Sequence, residues 1–282
     1  MTYLKRMARP NSWVGWAGGA PAPWHLAALD EAYELMGEGR FEEAEARARA
    51  LAAARTGRSG RDRRPGTVWF AAYVAALAAR AHGRQEPSLL VEFDELIAEA
   101  GQTHDLHHGL LLPARLNRAW VLIDEERPVE AEVEARDVLR ALARRAQPAR
   151  DRQVELSALI CLGHALCAQH RYEEAETIAR GNLSRADEEA AGPLRVLLVR
   201  GLSGLGRHEE ALAESLVPLP EQPPRAAGHL ELHRATALHA LGRDDEARAE
   251  AGRALAACER YLHPAHPRTA ALRALLSRIT PP

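Results

Sequence analysis

At positions 170–175 the sequence reads His170-Arg171-Tyr172-Glu173-Glu174-Ala175, between two stretches in which apolar residues recur every three or four positions. Apolar residues at that spacing form one face of an α-helix. The acidic pair would lie in the first turn of the second helix, where negative charge complements the helix dipole. The stretch therefore predicts a helical hairpin, in which a tight turn joins two helices.

The same pattern recurs at a nearly constant interval. Its six copies, of which the second and third are degenerate, begin at Gly39, Gly83, Glu126, His170, Gly206 and Gly242. Successive copies are 44, 43, 44, 36 and 36 residues apart, a period typical of solenoids built from helical hairpins. Glycine at the first position supplies the left-handed conformation that ends a helix. The spacing therefore predicts six hairpins.

Helix-breaking residues agree with this model. We expect Pro113, Pro148 and Pro193 to lie between hairpins or at helix starts, and Pro128 to open a second helix, where proline is tolerated. The degenerate second copy has Gln85-Glu86-Pro87-Ser88 in place of the acidic pair and alanine, so its second helix is expected to be displaced. Asn-Gly and Asp-Gly turns are absent from the sequence, which predicts an all-α chain.

The residues before the turn resemble the tetratricopeptide repeat (TPR), through Leu159, Leu162, Gly163 and Leu166 ahead of the turn at His170. Repeats longer than the usual length of about 34 residues resemble the kinesin-light-chain variety common in actinobacterial proteins. Two stretches are similar to that variety: Leu116-Asn117-Arg118-Ala119 and His263-Pro264-Ala265-His266-Pro267-Arg268-Thr269.

The resemblance implies a fold and a domain organisation. The implied fold is a right-handed α-solenoid of about six TPR-like helical hairpins with a C-terminal capping helix. Residues 24–264 would form the six hairpins, and residues 265–282 the capping helix and tail. Residues 1–23 would form an N-terminal extension that carries Trp13 and Trp16; this extension either packs on the solenoid as a lid or is a free tail.

The resemblance also implies a binding groove. In this family the concave wall is lined by residues ten, six and three positions before each turn. Aromatic groups there give affinity, while histidine and arginine fix orientation or meet a carboxylate. The alternative is that the aromatic residues simply pack between hairpins. The predicted groove residues are Tyr33, Tyr73, Trp120, His164, Arg200, Thr236 and His239, and the cluster predicted as the site is Tyr73, Trp120, His164 and Arg200.

Charge limits the class of partner. Lys plus Arg number 37 against 39 for Asp plus Glu, for a net charge of −2, so the chain lacks the basic excess of a dedicated nucleic-acid binder. The arginines between positions 55 and 64 have no aromatic residues among them and are interpreted as a solvated loop. Lys5 is the only lysine, so the family's lysine-based clamp for chaperone tails cannot be built in its usual form.

Cysteine usage and hydropathy predict a location. Three cysteines cannot form a disulfide framework, and they suit a reducing compartment. No apolar run of signal-peptide length or membrane-spanning length occurs. We therefore expect a cytoplasmic protein that neither enters a membrane nor is secreted.

Sequence motifs for chemistry are weak. His104-Asp105-Leu106-His107-His108 has a spacing that could ligate a metal on a helix, but its position between repeats favours a polar connector. No nucleophile elbow, phosphate loop or dinucleotide fingerprint occurs. We therefore expect neither a metal nor a cofactor.

These observations favour a cytoplasmic binding protein that holds a protein or peptide partner in its groove. An alternative is a small-molecule receptor or an enzyme of a natural-product pathway, with His164 and either Tyr73 or Arg200 in a groove pocket. A third interpretation is a sensor that lacks its DNA-binding domain. The sequence does not indicate the oligomeric state.

Overall fold

The computed structural model describes residues 23–53, 65–83, 88–102, 108–144 and 148–279. This part of the chain contains thirteen α-helices and no strand. A short 3-10 turn, Pro224–Ala226, lies between the tenth and eleventh helices. The helices are α1 (Pro23–Gly37), α2 (Phe41–Ala53), α3 (Pro65–His82), α4 (Ser88–Gln102), α5 (His108–Asp124), α6 (Pro128–Ala143), α7 (Pro148–Ala168), α8 (Tyr172–Leu183), α9 (Glu188–Gly204), α10 (His208–Ser215), α11 (His229–Ala240), α12 (Asp244–Tyr261) and α13 (Pro267–Ile279).

The helices are arranged in sequential hairpins. The odd-numbered helices α1 to α11 are the first helices of the six hairpins, the even-numbered helices α2 to α12 are the second helices, and α13 follows as a single helix. The predicted all-α fold of helical hairpins is confirmed. None of the helices in the described ranges is long and apolar enough to span a membrane.

All six predicted turn residues have a left-handed backbone. Gly39, Gly83, Gly206 and Gly242 have φ values between 74° and 80°, and Glu126 and His170 have φ values of 60° and 62°. Where the residue after the turn is described, its amide closes the helix end by bonding five residues back, as Arg171 N does to Leu166 O at 2.9 Å. This pattern is the Schellman motif, so the predicted turn geometry is confirmed.

Where the arginine after the turn is described, it donates to a glutamate three residues later, a role that the sequence analysis did not assign. Arg171 Nε donates to Glu174 Oε1 at 2.6 Å, and Arg171 Nη1 donates to Glu132 Oε2 of the preceding hairpin at 2.7 Å. Arg207 repeats the arrangement with Glu210 and Glu176. Glu132 and Glu176 are each 13% exposed, whereas the pairs with Glu174 and Glu210 are exposed to water, so each of those exposed pairs contributes less than about 1 kcal/mol to stability. Their main effect is to orient the turn.

The chain divides into two compact units, Met1–Asn117 and Arg118–Pro282. In the first unit α1, α2 and α3 pack together around a small-residue core that includes Ala32, Ala48, Ala71 and Val74. The alanines let the helix backbones approach closely, and the larger side chains, Tyr33 among them, close the edges of this core.

The second unit contains the end of α5 and helices α6 to α13. Its first helices pack in series, α7 on α9 and α9 on α11. Gly163 allows the first of these contacts, because a Cβ at this position would overlap the side chain of Leu197. The helix α13 packs on α12 and α11 through an apolar face that includes Leu272 and Leu275, both almost fully buried.

Two details of the proline prediction are wrong. Pro113 lies inside α5 and Pro193 inside α9, each six residues from the start of a helix of 17 residues. A proline in the second turn removes a single backbone hydrogen bond near the helix start, and the rest of the helix compensates for this loss. Pro128 opens α6 as predicted. The four residues before α4 lie outside the described ranges, so the displacement of this helix stays a prediction.

Candidate functional site

Three of the four residues predicted for the site lie together in the second unit. Trp120, His164 and Arg200 are supplied by α5, α7 and α9, the first helices of three successive hairpins. The ring centroids of Trp120 and His164 are 5.1 Å apart. Arg200 Nη1 lies 3.1 Å from His164 Nδ1. The three residues occupy the same position, six residues before the turn, so the repeat itself brings them into line.

Two further histidines from α11 extend this group. The rings of His164 and His229 are stacked, with their centroids 5.6 Å apart. The ring centroids of His229 and His233 are 5.5 Å apart. Neither histidine occupies one of the three groove positions used in the sequence analysis. Their i, i+4 spacing, which places both on one helix face, was the signal that could have identified the pair.

Arg268 completes the cluster from α13. Its Nη1 donates to Arg225 O at 3.1 Å and to Ala227 O at 2.7 Å, which ties α13 to the segment that leads into α11. Burial lowers the pKa of His229, and the charge of Arg268 lowers it further. The sequence analysis treated Arg268 as part of a His-Pro loop, and no periodicity pointed to a role in the site. We call the residues Trp120, His164, Arg200, His229, His233 and Arg268 the cationic cluster.

The hydrogen bond between Arg200 and His164 determines the tautomer of His164. A guanidinium can only donate, so Nδ1 of His164 must accept and the ring proton must lie on Nε2. Burial, together with the charges of Arg200 and Arg268, holds the pKa of His164 well below its usual value. The pKa of His233 is lowered to about 3, mainly by burial. All three imidazoles of the cluster are therefore neutral at physiological pH, since the pKa of His229 is lowered in the same way.

The two guanidiniums of the cluster differ from most arginines of the second unit. Arg171 and Arg207 each bridge two glutamates. In contrast, neither Arg200 nor Arg268 forms an ion pair with a carboxylate among the residues that the structure describes. Asp124 influences the pKa of Arg268 only through its charge. The cluster thus carries two positive charges without a bound counter-charge from the described chain.

The cluster is accessible in part. His164 is 3% exposed, whereas the other five members keep intermediate exposure. Trp120 packs one side against a core that contains Leu156 and Ile160 and contacts His164 with its ring. The indole is therefore both a packing residue and a part of the cluster surface.

Tyr33 and Tyr73 lie in the first unit and are packed there. The ring of Tyr73 stacks on Trp69 at a centroid distance of 5.3 Å, and its hydroxyl accepts a hydrogen bond from Asn117 Nδ2 at 3.2 Å. Burial raises the pKa of both tyrosines. This environment matches the packing alternative for the two tyrosines.

Thr236 and His239 bond within their own hairpin. The Thr236 hydroxyl donates to Leu232 O of the same helix at 2.8 Å. His239 Nδ1 lies 2.6 Å from Asp244 Oδ1, across the last turn. Within the described ranges neither residue makes a hydrogen bond to the cationic cluster, so both remain groove predictions.

Three sequence predictions fall on residues outside the described ranges. They concern the extension before residue 23, the arginine-rich segment between positions 55 and 64, and the side chains of the His104–His108 stretch. Within the described ranges, no group of three or more His, Cys, Asp or Glu side chains could hold a metal ion.

The chain shares its fold with a solved structure. The crystal structure of a Rap protein complexed with competence and sporulation factor matches it with a TM-score of 0.61 and 12% sequence identity, over 92% of this chain and 71% of that chain. No family model matches the chain, nor does any curated protein. At this level of identity the similarity establishes a TPR-like helical repeat fold and does not distinguish the kinesin-light-chain variety.

Proposed function

We propose that this chain is a TPR-type binding protein that holds a protein or peptide partner against the first helices of its C-terminal hairpins. One observation carries the proposal: Trp120, His164 and Arg200 are aligned on the first helices of three successive hairpins, and the indole N–H of Trp120 and two nitrogens of Arg200 lack partners in the described chain. An aromatic surface beside a few directed polar groups is a common composition of binding sites.

Two further observations support the proposal. The Rap protein with this fold is complexed with competence and sporulation factor, which is an example of such a fold holding a factor. The longer spacing of the first four copies and the His-Pro loop support the kinesin-light-chain-like, actinobacterial variety. The three cysteines are free and buried, which supports a reducing compartment such as the cytoplasm.

Capture of the partner tests this function. A pull-down from lysate of the native host, analysed by mass spectrometry for proteins and small molecules, should identify a protein or peptide. Trp120→Ala and Arg200→Ala should each weaken its capture by more than about 1 kcal/mol. The circular dichroism melt should change little for Arg200→Ala, whereas Trp120→Ala should also lower it, because the indole packs against Leu156 and Ile160. Arg180→Ala is the matched control, since Arg180 lies on α8 and pairs with Glu176. Melting loss with undiminished capture would make the two residues structural.

The enzyme alternative requires a histidine that can exchange protons near neutral pH. The low pKa of His164 and its hydrogen bond from Arg200 favour recognition instead. His164→Gln should retain most affinity for the captured partner, because glutamine keeps hydrogen-bonding capacity. If the protein converts a host metabolite, and His164→Gln abolishes the conversion without loss of binding, the enzyme alternative is supported and our proposal is contradicted.

A further inference from the structure

The guanidinium of Arg200 has most of its donors available. Arginine offers five N–H groups in a planar fork, and only Nη1 of Arg200 is engaged, by His164. Within the described chain, Nε and Nη2 have no hydrogen-bond partner. These two atoms form the edge of the guanidinium that binds oxyanions through two parallel hydrogen bonds.

Arg268 adds a second charge, which no carboxylate of the described residues pairs with. Its Nη1 is held by two backbone carbonyls, which satisfy a donor and leave the positive charge in place. The acidic groups that act on Arg268 are the Cys258 thiol, which is also hydrogen-bonded to it, and Asp124 and Glu231, which act through their charge alone. The carbonyl bonds hold this guanidinium in place beside the imidazoles before any ligand arrives.

The neutral rings of the cluster add donors without adding charge. The tautomer of His164 leaves its Nε2–H free to donate. The ring nitrogens of His229 and His233, and the indole N–H of Trp120, make no hydrogen bond to any residue in the described ranges. Since an imidazole has one donor when neutral, the cluster can offer several N–H groups around two fixed charges.

A cation does not suit this arrangement, because Arg200 and Arg268 would repel it, although three imidazoles lie close together. An anion suits it, because uncompensated charge in a partly desolvated site is costly until it is paired. We propose that the cationic cluster is a binding site for an oxyanion, a carboxylate or a phosphate group, which the Arg200 fork and the Arg268 charge hold beside Trp120.

This inference deepens the proposed function, because it rests on the partner carrying the oxyanion, and it names the chemistry by which the partner is anchored. The apolar group next to the oxyanion would lie on the indole of Trp120, which supplies area for affinity. Specificity would follow from the planar guanidinium of Arg200, whose parallel N–H groups match two oxygens bound to the same carbon or phosphorus atom.

Binding of small anions to the intact protein tests the inference. Sodium acetate and inorganic phosphate are titrated separately at constant ionic strength, and the imidazole resonances are followed by NMR. Variants His164→Gln and His229→Gln assign two resonances of the cluster, and His239, which lies at the last turn beside Asp244, is the reference outside it. We expect acetate or phosphate to shift the resonances of His164 and His229 in a saturable way and to leave that of His239 unchanged.

Charge removal gives the second measurement. Arg200→Gln should weaken the binding of the anion by at least about tenfold. Arg180→Gln should leave the affinity for the anion unchanged. The side chain of Arg200 makes no hydrogen bond to the backbone within the described ranges, and circular dichroism is used to check that the variant is folded. The anion that binds more tightly, acetate or phosphate, indicates whether the site takes a carboxylate or a phosphate group. The inference would be overturned if neither anion shifts the histidine resonances of the cluster. It would also be overturned if Arg200→Gln and Arg180→Gln bind the anion equally well.

The outcome is separable from that of the pull-down. If a partner is captured through Trp120 while neither probe binds the cluster, the oxyanion inference is wrong and the binding function stands. If the probes bind and no protein or peptide is captured, the oxyanion site stands and the proposed partner class is wrong.

Discussion

Tyr33 in the first unit and Arg200 in the second occupy the same position of the repeat, six residues before the turn. Tyr33 packs at the edge of an alanine-rich core, and Arg200 lies beside three imidazoles and bonds to one of them. The repeat places both on equivalent helices. The repeat register therefore predicts where along its helix a residue lies. The neighbouring residues decide whether its side chain packs in a core or exposes a charge.

The two units also differ in whether the polar groups of their aromatic residues and histidines have hydrogen-bond partners. In the first unit the indole N–H of Trp69 donates to Leu96 O at 2.9 Å, and Tyr73 is bonded to Asn117. In the second unit the indole of Trp120 and the imidazoles of His229 and His233 have no such partner in the described chain. Satisfied polar groups stabilise a fold, whereas unsatisfied ones near solvent are available to a ligand.

The largest expected effect tests the packing role of the first unit. Tyr73→Ala should lower the free energy of unfolding by about 3 to 5 kcal/mol, because it removes a ring that is stacked on Trp69 and leaves a cavity. Thermal or denaturant unfolding measures the change, and Tyr73→Phe, which keeps the ring, should cost much less. Equal stability of Tyr73→Ala and the wild type, with weakened partner capture, would assign Tyr73 to the binding surface instead.

The second prediction concerns the pH dependence of the second unit. Unfolded histidines bind protons near pH 6.5, while His164, His229 and His233 stay neutral in the folded protein. Unfolding therefore takes up protons, and the free energy of unfolding should fall below pH 6.5 by about 1 kcal/mol per histidine for each pH unit.

Melting curves at pH 7.5 and pH 5.5 provide the measurement, and the same linkage for three histidines predicts stabilities that differ by about 4 kcal/mol. The charged groups that face these imidazoles are Arg200 from α9 and Arg268 from α13, and both disfavour protonation. A double variant, His229→Gln with His233→Gln, should flatten the pH dependence. An unchanged slope in that variant would show that other groups cause it.

The smallest expected effect concerns the turns, where the two units also differ. Both described turns of the first unit have glycine, whereas Glu126 and His170 of the second adopt left-handed backbone at a conformational cost. Glu126→Gly should raise stability by about 0.5 to 1 kcal/mol. His170→Gly should gain less, because it also loses the hydrogen bond between Nδ1 and Tyr172 OH, with a length of 2.9 Å.

Gly206 provides the reverse substitution. A Cβ at this position would meet no atom within 4 Å, so Gly206→Ala should lose about 1 kcal/mol through the backbone conformation alone. Chemical denaturation of the three variants measures both directions. Stabilisation by Gly206→Ala would contradict the role assigned to the left-handed turns.

The hairpins could be predicted from the sequence because every signal they need is local. A turn glycine, an acidic pair and apolar residues at helical spacing all act within about two helix turns of one another. The same register also placed Trp120, His164 and Arg200 correctly on successive first helices. The role of Arg171 was missed because its partner Glu132 belongs to another hairpin.

The remainder of the cationic cluster depended on tertiary structure. His233 and Arg268 occupy no regular position of the repeat, and residues 164 and 229 meet only because α7, α9 and α11 pack closely enough for their histidines to stack. Local sequence determined the helices, the turns and the position of each side chain along its helix. The packing of successive hairpins decided which charges remain without a carboxylate, because an ion pair depends on distances between residues that are far apart in the sequence.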